Sequence, residues 1–381
     1  DRMLVKRYAF DLELLAIAHG HGYRVSEAPI RMDYGDKVGA LTWANVRTVM
    51  TDTLAIFYRL RLIRYYQNVE VGTVPDPPPG VSVVIACPAP SDFLDEALAG
   101  IAAQTIPPLE VIVLPDADVA TPLTAGAVPV RVHPTGHIRP AEKRNLGIEL
   151  AQGEIVAFLD DDAYPAPDWL EQALKYFKRP EVASVGGPAL TPPHDPWRAQ
   201  IGGRVYANPL VSGGYAYRYH SERVRRVDDL PSCNLLVRTS VLRELGGFNT
   251  RYWPGEDTIL CSDIVHRLGY QMFYHPWAVV YHHRRPLFGP HLRQIGRYAL
   301  HRGFFARRFP ETSRRISYML PSLLVLGIAF GWLAGLIHPV LGYLYLGTVS
   351  AYMLITFLGA FNRRPATWFM TWAGIVATHM V

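Results

Sequence analysis

Between residues 81 and 290, short apolar runs alternate with stretches whose apolar positions recur every three or four residues. "VSVVIAC", "LEVIVLP" and "EIVAFLD" are continuous enough to be strands buried on both faces, and "VPVRVH" adds a further short strand. "SDFLDEALAGIAAQ" and "RPAEKRNLGIELAQG" have the period of amphipathic helices, the first opened by a Ser or Asp cap and the second ended by Gly153. Strands alternating with helices in this way predict an α/β domain, a mainly parallel sheet flanked by helices, with ligands at the carboxyl ends of the strands.

The pattern changes at the C-terminus. No Asp, Glu, Lys or Arg occurs from Ile316 to Phe361, and His338-Pro339 divides this stretch into two segments, about 319–337 and 340–361. Each is long enough to cross a bilayer, and a third apolar segment runs from about 366 to 381. Residues 316–381 therefore read as a transmembrane region; the alternative is a set of buried helices in a soluble domain. Arg307, Arg308, Arg314 and Arg315 precede the first span and Arg363-Arg364 follow the second, whereas the His338-Pro339 turn carries no Lys or Arg. The positive-inside rule then places residues 81–315 on the cytoplasmic side of an inner membrane.

Toward the N-terminus, "GTVPDPPPG" at 72–80 is a linker that can be neither helix nor central strand. Residues 1–71 predict a helix through "FDLELLAIAHGHG", a strand "YRVSEAPI" and a helical run from Leu41 to Tyr66. That run sets Trp43, Val46, Leu54, Phe57, Leu60 and Ile63 among Arg47, Arg59, Arg61 and Arg64, a pattern shared by membrane-surface helices and by core-packed helices with a basic solvated face.

Composition narrows the classes. The net charge of +5 over 381 residues, with no Lys/Arg block interleaved with aromatics, argues against a nucleic-acid partner. Cys87, Cys233 and Cys261 are far apart and form no C-x-x-C pair, so neither a disulfide framework nor a cysteine zinc motif is expected. The chain begins at Asp1 and ends within an apolar run, and reads as a fragment of a longer protein.

The candidate chemistry starts at "FLDDDAYP", where three aspartates follow an apolar strand. Asp160 and Asp162 can hold a hard dication such as Mg2+ or Mn2+; a solvated turn capping the next helix is the plainer alternative. Asp116, at the end of the second strand, is placed to accept from a base or ribose, and Arg139, Lys143 and Arg144 open a helix whose N-terminus favours phosphate. Glu256-Asp257 at another helix start are either dipole-complementing caps or, in the case of Asp257, a general base. One of His282-His283 can complete the metal site from the far side.

In their order, "VSVVIA", "EVIVLPDA", "AEKRNLGIELAQGEIVAFLDDDAYPAPDWLEQAL", "CNLLVRTSVLRELGGFNTRYWPGEDTIL" and "GYQMFYHPWAVVYHHRRP" resemble glycosyltransferase family 2, inverting enzymes of the GT-A fold. The resemblance implies a nucleoside contact at Asp116 and a D-x-D pair at Asp160 and Asp162, with Asp162 a metal ligand. It further implies a catalytic base at Asp257, a metal or diphosphate contact at His282, and an acceptor side around Asn234, Trp253 and Glu256. A nucleotide-diphosphate sugar and a divalent cation are the partners it implies, and a site beside a membrane hairpin suggests a lipid-linked or cell-envelope glycan acceptor. Two departures stand out. Pro115-Asp116 replaces the usual acidic pair, and "RQIGRYALHRG" lacks the Q-x-x-R-W motif of processive synthases, which favours single-sugar addition. Residues 1–66 resemble the C-terminal end of a dolichyl-phosphate mannose synthase-like domain without its D-x-D, and are expected to be catalytically silent.

Two rival classes differ at defined places. A sugar-phosphate nucleotidyltransferase needs a Gly-rich basic loop after the first strand, where this chain has "CPAPSD"; a decayed, non-catalytic membrane scaffold predicts loss of acids that here all stand.

Overall fold

The computed structural model describes residues 10–20, 42–58, 60, 72–314 and 316–381. It divides into two units, Asp1–Glu70 and Val71–Val381. In the first unit the described elements are helices Phe10–Gly20 and Trp43–Phe57. The Thr42 hydroxyl caps the second by accepting from Asn45 N at 3.3 Å. Trp43, Met50, Leu54 and Phe57 are exposed on it. The expected strand "YRVSEAPI" and the positions Arg59, Arg61, Ile63 and Arg64 lie outside the described residues, as does Arg315.

The second unit contains strands β1 Val81–Ala86, β2 Glu110–Leu114, β3 Val130–Val132, β4 Ile155–Asp160, β5 Ala163–Pro165, β6 Val182–Gly186, β7 Ala189–Leu190, β8 Arg225–Val227, β9 Leu235–Arg238, β10 Gln271–Tyr274 and β11 Val280–His282. The main sheet has the order β3-β2-β1-β4-β9-β6-β10-β8. Its first four strands are parallel, as the sequence predicts. Beyond them β9 is inserted antiparallel to both β4 and β6, β10 is parallel to β6, and β8 closes the edge antiparallel. A small second sheet, β5-β11-β7, is built over the end of the first.

Val83, Ile85, Val111, Val113, Ile155 and Ala157 have no exposed surface, because helices cover both faces of the parallel strands. Each such Val or Ile stabilises the fold by about 1.5–3 kcal/mol. Helix Pro140–Leu150 lies close on the sheet because position 147 is glycine: a Cβ there would stand 2.4 Å from Val84 Cγ1. At the amino ends of the strands the buried Glu110 is fully partnered, accepting from Ser82 Oγ at 2.7 Å, Arg131 Nη1 at 2.7 Å and Gln152 N at 2.8 Å. A second group of acids, Asp116, Asp160 and Asp162, lies at or just beyond the opposite, carboxyl ends of β2 and β4.

Two stretches, Tyr318–Ile337 (20 residues, mean hydropathy 2.1) and Pro339–Gly359 (21 residues, mean hydropathy 1.5), are long and apolar enough to cross a membrane. Leu320, Leu323, Leu326, Phe330, Leu344 and Leu346 are exposed on them, which is not the environment of core helices in a soluble domain. The third apolar segment is packed along one face. It forms the 15-residue helix Pro365–His379, whose Thr371, Gly374, Ile375 and Thr378 are buried. Ile375 packs with Ile201, Val205 and Leu287. Glycine at 374 permits the approach, since a Cβ would lie 2.7 Å from Val205 Cγ2. Asn208 Nδ2 donates to Gly359 O, at the end of the second apolar helix, at 2.8 Å.

Candidate active site

Parallel register sets Ala86, Leu114 and Asp160 level with one another at the carboxyl ends of β1, β2 and β4. β4 stops at Asp160, and Asp161-Asp162 form the turn into β5. β5 pairs antiparallel with β11, Ala163 opposite His282, and His283 N donates to Asp162 O at 3.0 Å. That ladder carries His282 Nε2 to 3.0 Å from Asp162 Oδ1. Asp160, Asp162 and His282 can each offer one ligand atom, all within 4.8 Å of one another. Two carboxylates and one imidazole suit Mn2+ or Mg2+.

Electrostatics support this assembly. Burial works to raise Asp162, but the charge and hydrogen bond of His282, with Arg285 and Arg284 behind it, bring it down to about 2. Burial works to lower His282, and Asp162 outweighs it, raising the imidazole to about 10. Asp161 goes the other way: burial and then the charges of Asp162 and Asp160 push it up to about 6. The middle acid thus holds its proton more tightly, which relieves the repulsion within the triplet.

Asp116 is gripped on both oxygens. Lys143 Nζ bonds Oδ1, and His137 Nδ1 lies 2.8 Å from Oδ2. The hydrogen bond from Lys143, then that from His137, hold the Asp116 carboxyl below its ordinary range. Lys143 Nζ also donates to Cys87 O at 2.6 Å and Leu114 O at 3.1 Å, and its side chain is buried. The ammonium expected to meet phosphate is therefore spent inside the fold, positioning Asp116.

Arg144 is likewise enclosed. Its Nη2 donates to Asp160 Oδ1 at 2.8 Å and its Nη1 to Glu256 Oε1 at 2.9 Å. Neither Lys143 nor Arg144 is open to a ligand phosphate, in contrast to the sequence expectation; of the three cations opening this helix, Arg139 alone is exposed. Burial, followed by the charge of Asp257, raises Glu256 to about 7 against the pull of Arg144. Glu256 faces Arg144 and not an acceptor.

Asp257 follows on the first turn of helix Glu256–Ser262 and accepts from Thr258 N at 2.8 Å. Burial and then the Asp229 charge raise its pKa, with Arg218, Thr258 N and Arg144 opposing. The loop before it turns at Gly255, whose φ of +112° suits glycine, and whose Cβ, if present, would stand 2.6 Å from Phe305 Cε2. Trp253 is exposed on that loop.

Asn234 is placed elsewhere than expected. It is fully buried, accepting from Trp169 Nε1 at 2.8 Å and donating to Ala278 O at 2.8 Å and Pro188 O at 3.3 Å, so its amide has no atom turned to an acceptor. Four residues outside the expected set join the site: His137 at Asp116, the Arg218–Asp229 pair at 2.7 Å beside Asp257, and Arg284, whose Nη1 lies 3.1 Å from His282 Nδ1. The run "HHRR" is the one sequence signal that could have found the last of these.

Residues 82–246 match the family model described as Glycosyl transferase family 2. Pre-mycofactocin glycosyltransferase of Mycobacterium tuberculosis is 28% identical over 216 residues, 53% of this chain and 43% of that protein. Glucosyl-dolichyl phosphate glucuronosyltransferase of Haloferax volcanii is 25% identical over 218 residues, 53% of this chain and 68% of that protein. The chain thus spans under half the length of the first curated relative it matches. Among solved structures, a mannosyltransferase from Pyrobaculum calidifontis in complex with GDP-Man and Mn2+ has a TM-score of 0.55 at 21% identity, over 88% of this chain and 96% of that one. The two share the GT-A fold.

Proposed function

Because residues 82–246 carry a glycosyl transferase family 2 domain, we propose that this protein is a membrane-bound, metal-dependent, inverting glycosyltransferase. It moves one sugar from a nucleotide-diphosphate sugar to a hydroxyl of a lipid-linked or cell-envelope glycan acceptor. The observation that carries the reading is the bridge made by Arg144, which joins Asp160 at the end of β4 to the helix start that bears Asp257.

In this mechanism Asp116, fixed by Lys143 and His137, receives the nucleoside. Asp162, Asp160 and His282 would hold Mn2+ or Mg2+, which when bound would supply positive charge to the diphosphate. Arg284 and Arg285 add fixed charge near the same atoms, a role the sequence had assigned to Arg139, Lys143 and Arg144. Asp257 takes the proton from the acceptor hydroxyl as that oxygen attacks the anomeric carbon, the bond to the diphosphate breaks, and the configuration inverts. The raised pKa of Asp257 favours such a proton acceptor over a permanently ionised surface acid.

The two apolar helices, with Arg307, Arg308, Arg314 and Arg363-Arg364 at one end, support a hairpin in the inner membrane with the catalytic domain cytoplasmic. A lipid-linked acceptor accords with that placement and with the dolichyl phosphate substrate in the name of the archaeal relative. The absent Q-x-x-R-W motif supports addition of a single sugar. The test is nucleotide release from UDP-, GDP- and dTDP-sugars, with and without Mn2+. Release from one donor that needs the cation and an acceptor lipid supports the reading; no release from any donor, in the presence of envelope lipid extract and Mn2+, overturns it.

A further inference from the structure

A second cluster of ligand-type side chains lies beside the first and has no part in the transfer. Glu96 comes from helix Asp92–Ala102, His194 from the segment between β7 and helix Trp197–Ala207, and His283 from the residue after β11. Consecutive residues of an extended chain point to opposite sides, so His282 serves Asp162 while His283 turns away to Glu96. His283 Nε2 is 2.8 Å from Glu96 Oε2, His194 Nε2 is 3.2 Å from Glu96 Oε1, and one ligand atom from each of the three lies within 4.8 Å of the others.

The surroundings are those of a metal-binding imidazole. A ligating His ordinarily gives its other ring nitrogen to a carboxylate, which fixes the tautomer and aims the free nitrogen. Here His283 Nδ1 is bonded to Asp195 Oδ1, and Asp195 is buried, with Oδ2 also accepting from Arg284 N at 3.2 Å. The rings are held from the sides: Phe93 lies 4.4 Å from His283 between centroids, and Tyr164 stacks on His194 at 6.0 Å. Pro192-Pro193 and Pro196 flank His194-Asp195 and restrict that segment.

We propose that Glu96, His194 and His283 form a zinc site distinct from the nucleotide-sugar cation site. Two imidazoles and a carboxylate, leaving a fourth position for water, are a donor set for Zn2+, whereas Mg2+ is held mainly by carboxylate and water oxygens. Tetrahedral ligands about 2.0–2.2 Å from zinc stand roughly 3.3 Å apart, which these side chains reach by small rotations. On binding, the cation replaces the proton that lies between His283 Nε2 and Glu96, and that proton passes to solvent. The exposed face of His194 gives an entry path. The ion ties a helix after β1, the segment before helix Trp197–Ala207 and the end of β11 into one brace, and so steadies the strand that presents His282.

The experiment uses the full chain in detergent, stripped with a chelator and titrated with Co2+ as a spectroscopic substitute for Zn2+. One equivalent giving a tetrahedral visible band, displaced by Zn2+ and retained in Asp162→Asn, is the expected result. His194→Ala, at an exposed position that leaves the fold intact, and Glu96→Gln lose the band; Asp195→Asn keeps it with affinity weakened about 10–100-fold. A wild-type protein with no stoichiometric band, a band that survives His194→Ala, or one that disappears with Asp162→Asn overturns the proposal and leaves the cluster a hydrogen-bonded charge network. None of these readouts depends on sugar transfer.

Discussion

His282 Nε2 stands 3.0 Å from Asp162 Oδ1 because β11 runs antiparallel to β5 and sets His282 opposite Ala163. An acid in the turn after β4 and a histidine from far along the chain thereby form an ion pair, and a dication bound by both would displace the proton that they share. Asp162→Asn and His282→Ala are each expected to raise the Mn2+ concentration for half-maximal nucleotide release by about tenfold or more, and chelation to stop release in the wild type. Mn2+ activation curves that coincide for all three proteins would remove both residues from the cation site.

Asp257→Asn is expected to lower kcat by about 10²–10⁴ while leaving the KM for the sugar nucleotide nearly unchanged. A base works deprotonated, so the rate falls as pH drops through its folded pKa. Burial and Asp229 raise that pKa, so the acid limb of the kcat profile lies above the ordinary Asp range of about 3.9. Residual activity of the variant should lack this limb; a variant with wild-type rate and an unchanged limb would refute the assignment.

Lys143→Met removes the chief partner of Asp116 and adds no charge to the crevice. The carboxylate is then held by His137 alone, and the KM for the sugar nucleotide is expected to rise about tenfold with a smaller change in kcat. Steady-state kinetics decide it: an unchanged KM would mean that Asp116 does not contact the nucleotide.

Glu256 is expected to make stability depend on pH. Its folded pKa of about 7 exceeds the ordinary glutamate value of 4.5, so between these values the folded protein carries a proton the unfolded chain has lost, and stability falls as pH rises through that window. Glu256→Gln removes this slope, which amounts to about 1–3 kcal/mol. Urea midpoints at pH 5 and pH 7.5 check it; parallel shifts in the two proteins would count against the raised pKa.

Gly255→Ala places a Cβ against Phe305 in a backbone conformation of φ +112°. The strain, about 1–3 kcal/mol, is expected to move the start of helix Glu256–Ser262 and to lower kcat more than KM. Phe305→Leu in the same chain relieves the contact but not the backbone, so rescue should be partial. Full activity in Gly255→Ala alone would show that the loop tolerates displacement.

The strands and helices of the parallel half were legible because a strand buried on both faces must be continuously apolar, as "VSVVIAC" and "EIVAFLD" are. The antiparallel insertion of β9 was not, since four residues paired on both edges leave no periodic signal. Acids at strand ends could be picked out by position, but the direction of a basic side chain could not: Lys143 and Arg144 look like phosphate ligands in the sequence and turn inward in the structure. Asn234 failed for the same reason, its amide being absorbed by Trp169, Ala278 and Pro188. His194 and His283 carry no local motif, because the elements that unite them with Glu96 come from three distant segments.

Arg144 gives the two halves of the crevice a common counterion. When a proton settles on Glu256, the guanidinium's charge is left less divided, and more of it falls on Asp160 at the end of β4. A change of charge at the start of helix Glu256–Ser262 is in this way felt at the end of β4 with no backbone displacement, as the redistribution of one delocalised charge between two carboxylates.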